Sequence, residues 1–267
     1  MRVAILYSGG KDSYVLLKSL LAFSEEKGFD FEVLHHDTLV EYPILKPILE
    51  ETIDKLRERG IKVHVTRPEK HFFEYMAEKN YTFPRWNFRW CCRLLKWQPV
   101  TRFFEQRGDK CLNLIAIRGD ETHRPNMFIR PQSVKYMRKS LKNVVVASPL
   151  VDVTIRDVWR LCDDGLRRLY SYDGVRFGCW VCTVTSCKTL ATFHPELMKI
   201  KYELVCARCR GTDEFISKLE EYKDILGINI KNYDASEQFP CNKKCNICYI
   251  NTWKKQAKRL IAQKLCK

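Results

Sequence analysis

An apolar strand pattern, Val3–Tyr7, runs into Ser8–Ser13 (SGGKDS) and then into a helical pattern that continues to Glu25. Two glycines at the end of a buried strand let backbone N–H groups approach an anion, and the following helix N-terminus adds partial positive charge. Lys11 adds a mobile full charge, and the spacing differs from that of P-loop NTPases and dinucleotide-binding folds. The segment predicts a phosphate-binding turn; the alternative is an ordinary strand-to-helix turn that uses Gly for geometry and Lys for solubility.

Strand and helix patterns alternate over the first half of the chain. The predicted strands are Val3–Tyr7, Phe31–His36, Ile61–Val65, Cys111–Ile117 and Val144–Ala147, and the predicted helices are Ser13–Glu25, Lys46–Arg59, Arg93–Gln106 and Thr154–Cys162. Thr154 and Asp157 have the spacing of a capping box, and Gly60 and Gly165 are predicted to follow helix ends. The alternation predicts an α/β fold, a parallel sheet with helices on both faces.

Ligands of such sheets bind at the carboxyl ends of the strands. Ser8–Ser13, Asp37 and residues 118–124 fall there. An acid at this edge is suited to hold Mg²⁺ or a ribose hydroxyl, so Asp37 is predicted to do so. Its alternative role is an N-cap for the next helix.

The pattern changes after about Thr183, where cysteine pairs and lysine-rich segments replace the alternation. A helical pattern remains over Glu214–Leu226, and residues 253–259 have the pattern of a basic helix. We therefore predict a nucleotide-binding domain over residues 1–189 and a small, Cys-rich helical extension over residues 190–267.

The formal net charge is +15, and residues 238–267 contain eight Lys or Arg and no Asp or Glu. This charge favours polyanionic partners such as nucleic acid. The alternative is a solvated terminal helix of a heat-adapted protein. No apolar run has the length of a membrane span, and the chain starts with a strand rather than a signal peptide, so we expect a cytoplasmic location and no membrane partner.

Thirteen cysteines in a chain expected to be cytoplasmic point to metal or redox chemistry rather than to disulfides. Cys91 and Cys92 are adjacent, and Cys179 and Cys182 form a C-x-x-C pair. Four soft thiolates of this kind are a candidate [4Fe–4S] ligand set, with buried structural cysteines as the alternative. Cys187 is a further candidate, as a ligand or as a catalytic sulfur carrier.

A second group of cysteines lies in the predicted extension, namely Cys206, Cys209, Cys241, Cys245 and Cys248. A structural Cys₄ zinc site from Cys206, Cys209, Cys245 and Cys248 is the leading interpretation, because it would stabilise a small segment with little core. A second iron–sulfur cluster and uncoordinated thiols are the alternatives.

Several motifs in order over residues 1–185 resemble the phosphoadenosine-phosphosulfate reductase family of the ATP pyrophosphatase superfamily. Ser8–Ser13 resembles the pyrophosphate-binding loop, Asp37–Pro43 the D-T-G-x-x-x-P segment, and Ile117–Arg124 the G-x-R-x-x-E-S-x-x-R loop. Residues 88–96 and 178–183 are most similar to the sulfur-insertion protein of DNA phosphorothioation systems. The cysteine layout also resembles that of iron–sulfur adenylylsulfate reductases.

The resemblance implies that the chain binds ATP with Mg²⁺. It implies catalytic roles for Lys11, Asp12 and Arg118 and nucleotide contacts from Ser8, Gly9, Gly10, Lys11, Asp12, Ser13, Asp37, Thr38 and Glu121. Sulfonucleotide reductases of this family usually have a degraded phosphate loop and carry a terminal Glu-Cys-Gly-Leu-His. This chain has an intact loop and lacks that terminal motif, and both departures favour the use of ATP.

The expected function is that of an iron–sulfur sulfurtransferase-like enzyme. It would adenylate an acceptor, with nucleic acid (tRNA or DNA) as the expected class, before sulfur from a donor protein is inserted. One alternative is a reductase of adenylylsulfate or its 3′-phosphate. The other is a non-catalytic, nucleotide- and metal-dependent nucleic-acid-binding module. The sequence leaves the oligomeric state open.

Overall fold

A computed structural model describes residues 1–79, 81–84, 88–121, 134–136, 143–171, 177–182, 187–230 and 249–265. The chain forms two compact units. The first, here called the sheet unit, comprises Met1–Asp37, Pro43–Arg67 and Lys96–Tyr172. The second, here called the cysteine unit, comprises Thr38–Tyr42, Pro68–Leu95 and Asp173–Lys267. The cysteine unit thus includes segments before residue 189, and the predicted boundary after that residue stays a prediction.

The sheet unit is built on one six-stranded sheet with the order β3-β2-β1-β4-β6-β5. The strands are β1 (Arg2–Tyr7), β2 (Glu32–His36), β3 (Lys62–Thr66), β4 (Cys111–Leu114), β5 (Val134–Tyr136) and β6 (Val144–Ala147). Five strands pair in parallel, as predicted, and β5 pairs antiparallel with β6 at the edge. The strand predicted over Cys111–Ile117 ends at Leu114. Ile115 N–H still bonds to Ala147 O at 2.9 Å, and the chain then leaves the sheet.

Helices cover both faces of this sheet. They are α1 (Lys11–Lys27), α2 (Lys46–Glu58), α5 (Gln98–Arg107), α6 (Ile155–Leu161) and α7 (Asp164–Tyr170). Alternation along β1 directs Ile5 and Tyr7 into an apolar core shared with α1 and α2, and Ala4 into a second core shared with Val100 and Phe104 of α5. The predicted two-sided α/β sheet is therefore confirmed.

Local signals set several helix ends. Thr154 and Asp157 form the predicted capping box of α6. Gly60 follows α2 with φ +76°, as a helix stop signal requires. Gly165 follows the end of α6, as predicted, but does not cap it: the C-cap is Cys162, and Gly165 lies in the first turn of α7, where Asp163 accepts Leu166 N–H.

The cysteine unit is helical in the part that the structure describes. Its helices are α3 (Phe72–Glu78), α4 (Trp90–Cys92), α8 (Lys188–Phe193), α9 (Pro195–Arg210), α10 (Thr212–Leu226) and α11 (Tyr249–Leu265). A π-helical turn, Arg93–Trp97, leads from α4 towards α5. Helix α9 packs against α8, α10 and α11. Helix α10 matches the pattern predicted over Glu214–Leu226, and α11 includes the predicted basic helix. Among the described residues, no helix combines the length and apolarity needed to cross a bilayer.

His71 is a buried, titratable cap of α3. Its Nδ1 accepts Phe73 N–H at 3.4 Å, and Glu74 Oε2 accepts His71 N–H at 2.6 Å. Burial lowers the pKa of His71 to about 4, against an opposing effect of Glu74 and of a hydrogen bond to the Leu39 backbone. The neutral imidazole is therefore the form that stabilises the folded chain.

We expect the free energy of unfolding to fall by about 3 kcal/mol from this group as the pH drops from about 6.5 towards 4. The unfolded chain takes up the His71 proton near pH 6.5, whereas the folded chain takes it up only near pH 4. The stabilisation is thus complete above pH 6.5 and is lost through that window. The measurement is denaturant unfolding at each pH for the wild type and for His71→Asn, which retains a capping side chain without titrating. Parallel stability curves for the two proteins would contradict the assignment.

Candidate functional site

The loop Ser8–Ser13 has the backbone of an anion-binding turn. Gly9 has φ +74°, a conformation strained for other residues, and a Cβ there would lie 3.3 Å from Leu49 Cδ1. Ser13 Oγ donates to Gly10 O at 3.0 Å and accepts Ser8 N–H at 3.2 Å, which closes the loop. Helix α1 begins at Lys11, and the N–H groups of its first turn have no intrahelical acceptor. The turn therefore has the geometry that phosphate binding requires.

A row of alternating charges crosses this loop. Asp12 Oδ2 pairs with Lys11 Nζ, and Asp12 Oδ1 lies 2.7 Å from Arg118 Nε. Arg118, 4% exposed, also pairs with Asp120 Oδ1 at 2.9 Å. Asp120 Oδ2 in turn accepts Ile155 N–H at 2.8 Å, which ties Arg118 to the start of α6. Carboxylates thus hold two cations, Lys11 and Arg118, beside the loop. A bound phosphate would compete with these carboxylates for the two cations.

Two aromatic rings flank Lys11. Its Nζ lies 5.9 Å from the ring centroid of Trp159 and 5.7 Å from that of Tyr170. The two rings pack edge-on with centroids 5.3 Å apart. Cation–π contacts of this kind restrict the ammonium without neutralising its charge. Sequence reasoning assigned these aromatics no role, because they lie far from the loop along the chain.

The other predicted nucleotide contacts have different settings. Asp37 follows β2 at the carboxyl edge of the sheet, and its Oδ2 accepts from Arg67 Nε at 2.9 Å. The alternative role of Asp37 as an N-cap was wrong, because Leu45 occupies the N-cap of α2. Thr38 belongs to the cysteine unit, where its Oγ1 accepts from Cys179 Sγ at 3.8 Å. Glu121 is the last residue of a short 3₁₀ turn. Its side chain lies outside the part that the structure describes, and so do residues 122–124 of the predicted loop.

The Cys179–Cys182 pair forms a tight turn in the cysteine unit. Cys182 N–H bonds to Cys179 O at 3.0 Å, and Trp180 N–H bonds to Val40 O at 2.8 Å. Cys179 also forms an isolated β-bridge with Glu41. The buried Trp180 ring packs against Phe73 with centroids 5.9 Å apart. The backbone of this C-x-x-C turn is therefore fixed on several sides.

Cys91 and Cys92, the last two residues of α4, are electrostatically linked to that turn. The pKa of Cys91 is strongly raised by a hydrogen bond to Cys92, by burial, and by the charges of Cys92, Cys179 and Cys182. The hydrogen bond and burial are the larger causes, and the repulsion between thiolates is the part that bound iron would relieve. The chemistry of these four half-buried thiols fits an iron–sulfur cluster.

The thiols do not form a preassembled metal site. Among the described residues, no three Cys, His, Asp or Glu side chains have positions that could hold a metal ion. All nine described cysteines are outside disulfides. The predicted ligation by Cys91, Cys92, Cys179 and Cys182 therefore stays a prediction.

The remaining predicted cysteines stay predictions as well. Cys187 precedes α8, is 1% exposed, and its Sγ lies 3.6 Å from Gln256 Oε1. Cys206 and Cys209 lie one turn apart on α9 and are half-buried. Cys241, Cys245 and Cys248 lie outside the described residues, so the structure does not bear on a zinc site that includes them.

Three solved structures share partial similarity with this chain. Phosphoadenylyl-sulfate reductase from Candida auris, a phosphate complex, is 13% identical, with a TM-score of 0.47 over 67% of this chain and 82% of that chain. FMN adenylyltransferase from Candida glabrata with ATP is 16% identical, with a TM-score of 0.46 over 67% and 52%. The U34-tRNA thiolase from Methanococcus maripaludis with its [4Fe-4S] cluster is 16% identical, with a TM-score of 0.43 over 96% and 80%.

Sequence comparison identifies both a relative and a family. An uncharacterized protein of Methanocaldococcus jannaschii is 29% identical over 205 residues, which cover 75% of this chain and 38% of that protein. The chain therefore spans less than half the length of this relative. The family model of the phosphoadenosine phosphosulfate reductase domain matches residues 2–185. The chain belongs to the phosphoadenosine phosphosulfate reductase domain family.

Proposed function

We propose that this chain is an ATP-dependent, AMP- and pyrophosphate-forming enzyme of the sulfurtransferase type, with an iron–sulfur cluster. The observation that carries the proposal is the intact loop, in which Lys11 is connected through Asp12 to the buried Arg118. An enzyme that releases pyrophosphate needs cations where charge develops on the leaving group. A single preformed phosphate turn with two such cations meets that need.

In the first step, an oxygen of the acceptor attacks the α-phosphorus of ATP. The bond from the α-phosphorus to the bridging oxygen breaks, and pyrophosphate leaves with that oxygen and its electron pair. Lys11, Arg118 and the N–H groups at the start of α1 stabilise the negative charge. Asp12 and Asp37 are the carboxylates that would hold Mg²⁺. When the phosphates bind the ammonium group of Lys11, they displace Asp12 from it.

In the second step, a hydrosulfide-level sulfur from a donor protein attacks the activated carbon of the acceptor. The carbon–oxygen bond breaks, AMP leaves with the oxygen, and a carbon–sulfur bond forms. Cys91, Cys92, Cys179 and Cys182 would hold a [4Fe–4S] cluster, which would supply electrons to keep the incoming sulfur at the hydrosulfide level. The thiols of the C-x-x-C turn are kept at a fixed separation by the backbone bonds around Trp180.

Nucleic acid is the acceptor class that the charge favours. The chain carries +15, and α11 exposes Lys255, Lys258 and Arg259 while Ala257 is buried. Exposed basic side chains on one helix favour binding to phosphates, and such binding weakens as salt rises. Both tRNA and duplex DNA are therefore test ligands.

Replacing Lys255, Lys258 and Arg259 by Ala should weaken binding of the preferred nucleic acid at least about tenfold at low salt and reduce the slope of log Kd against log salt by about 2 to 3. The physical reason is the loss of released counterions. Fluorescence anisotropy with labelled tRNA and with labelled duplex DNA measures both quantities. Lys218→Ala with Lys223→Ala is the matched control, since these lysines are paired with glutamates on α10. An unchanged slope in the triple variant would refute the contact.

A reductase of adenylylsulfate is the rival enzyme, since the family is named for a reductase. Anaerobically isolated protein is incubated separately with ATP and with adenylylsulfate or its 3′-phosphate, each with a dithiol reductant. AMP and pyrophosphate from ATP support the proposal. Sulfite from the sulfonucleotide without turnover of ATP would favour the reductase, and ATP binding without turnover would favour the non-catalytic module. Iron, sulfide and zinc contents of the same sample test the proposed cluster and the predicted zinc site of the Cys-rich extension.

A further inference from the structure

Lys201 is a buried ammonium group in the middle of α9. Its side chain is 2% exposed, and Nζ donates to Trp180 O at 2.8 Å and to Cys182 O at 2.7 Å. Burial of a charge is costly unless hydrogen bonds and neighbouring charges compensate for it. Both acceptors belong to the C-x-x-C turn. The turn therefore offsets the cost of burying the Lys201 charge, and Lys201 in turn satisfies two carbonyl oxygens of the turn.

The contacts of Lys201 complete the set of bonds that fixes this turn. Cys182 N–H bonds to Cys179 O within the turn, and Val40 O accepts the N–H of Trp180. Lys201 donates to the carbonyl oxygens of Trp180 and Cys182. Donors and acceptors from three segments therefore hold the two thiols at their spacing.

The ammonium group also lies beside the thiols. Its two carbonyl acceptors belong to Trp180 and Cys182, so its charge is placed within the turn that carries both sulfur atoms.

We propose that Lys201 is a positioning residue of the cysteine site, which fixes the Cys179–Cys182 turn and places a positive charge beside the cluster that these thiols bind. This inference rests on the cluster of the proposed function. A [4Fe–4S] cluster with four thiolate ligands is anionic and gains a further negative charge on reduction. A nearby cation stabilises the reduced state more than the oxidised state, and so raises the midpoint potential.

The test compares Lys201→Met, which removes the charge and both hydrogen bonds, with Lys201→Gln, which retains a neutral donor. Lys199→Met is the matched control, because Lys199 is exposed on the same helix. Each protein is isolated anaerobically as the full chain and characterised by circular dichroism, iron per chain and midpoint potential. Iron release to a ferrous chelator is followed in the same samples.

We expect both Lys201 variants to shift the midpoint potential to more negative values and Lys201→Met to release iron at least tenfold faster, while Lys199→Met matches the wild type. Loss of iron from both Lys201 variants with native circular dichroism also supports the inference. Wild-type potentials and release rates in loaded, folded variants would overturn it. Loss of the fold in both variants would make Lys201 a structural residue and would likewise overturn it. An iron-free wild type would overturn the cluster of the proposed function itself, which separates the two failures.

Discussion

Lys11→Ala should lower the rate of pyrophosphate release from ATP by about 100- to 1,000-fold, the range found when one preorganised donor to a developing charge is removed. Lys11 carries the mobile charge of the loop, and its Nζ is held near Asp12 and the rings of Trp159 and Tyr170. The methyl group of Ala neutralises no charge. Arg118 and the backbone N–H groups remain, so ATP binding should weaken less than turnover slows.

Pyrophosphate release is measured with ATP and the preferred acceptor under anaerobic conditions, together with iron per chain. Lys18→Ala is the matched control, since Lys18 is exposed on the same helix. Iron content should be unchanged in both variants, because the loop and the cysteine turn belong to different units. Wild-type turnover in Lys11→Ala would mean that the loop does not act on the leaving group.

The second large effect concerns the thiols. Cys179→Ser and Cys91→Ser should each lower iron per chain at least about tenfold, because even the outer partners of metal ligands contribute 10- to 100-fold to affinity. Cys91 is expected to behave like Cys179, since the two thiols interact although they are far apart in sequence. Iron and sulfide analysis with the absorbance of the anaerobic protein gives the result.

Two controls make the thiol experiment specific. Cys111→Ala removes a thiol from the core of the sheet unit, where burial raises the pKa of Cys111 to about 11, and iron should be retained. Cys206→Ser should lower the zinc content but not the iron content if the Cys-rich extension holds the predicted zinc site. Full iron content in Cys179→Ser would contradict the assignment of the C-x-x-C turn.

The Ser8–Ser13 turn could be predicted from sequence because its signal is local. The strand, the glycines and the start of α1 are consecutive, so short-range patterns specify the turn around Gly9. Arg118 was identifiable from its family motif and from its place after a predicted strand, but its connection to Asp12 depends on the pairing of β1 with β4. Sequence patterns do not encode such contacts between distant segments.

The missed features share a long-range cause. Helix α9 buries Lys201 and Arg208 together with apolar residues, so no simple polar face reveals the helix. A lysine is expected at the surface on statistical grounds, and the burial of Lys201 accompanies its contacts with the C-x-x-C turn, which is distant in sequence. The edge strand β5 is three residues long and antiparallel, which the βαβ alternation does not predict.

The products formed from ATP test the central claim most directly. The wild-type protein, isolated without oxygen, is given ATP labelled on the α- and γ-phosphates, with and without tRNA or duplex DNA. The phosphate turn with Lys11 and Arg118 predicts AMP and pyrophosphate in equal amounts, at a rate that rises with the correct acceptor. Formation of ADP and phosphate, or an absence of ATP turnover by iron-loaded protein with either acceptor, would contradict it.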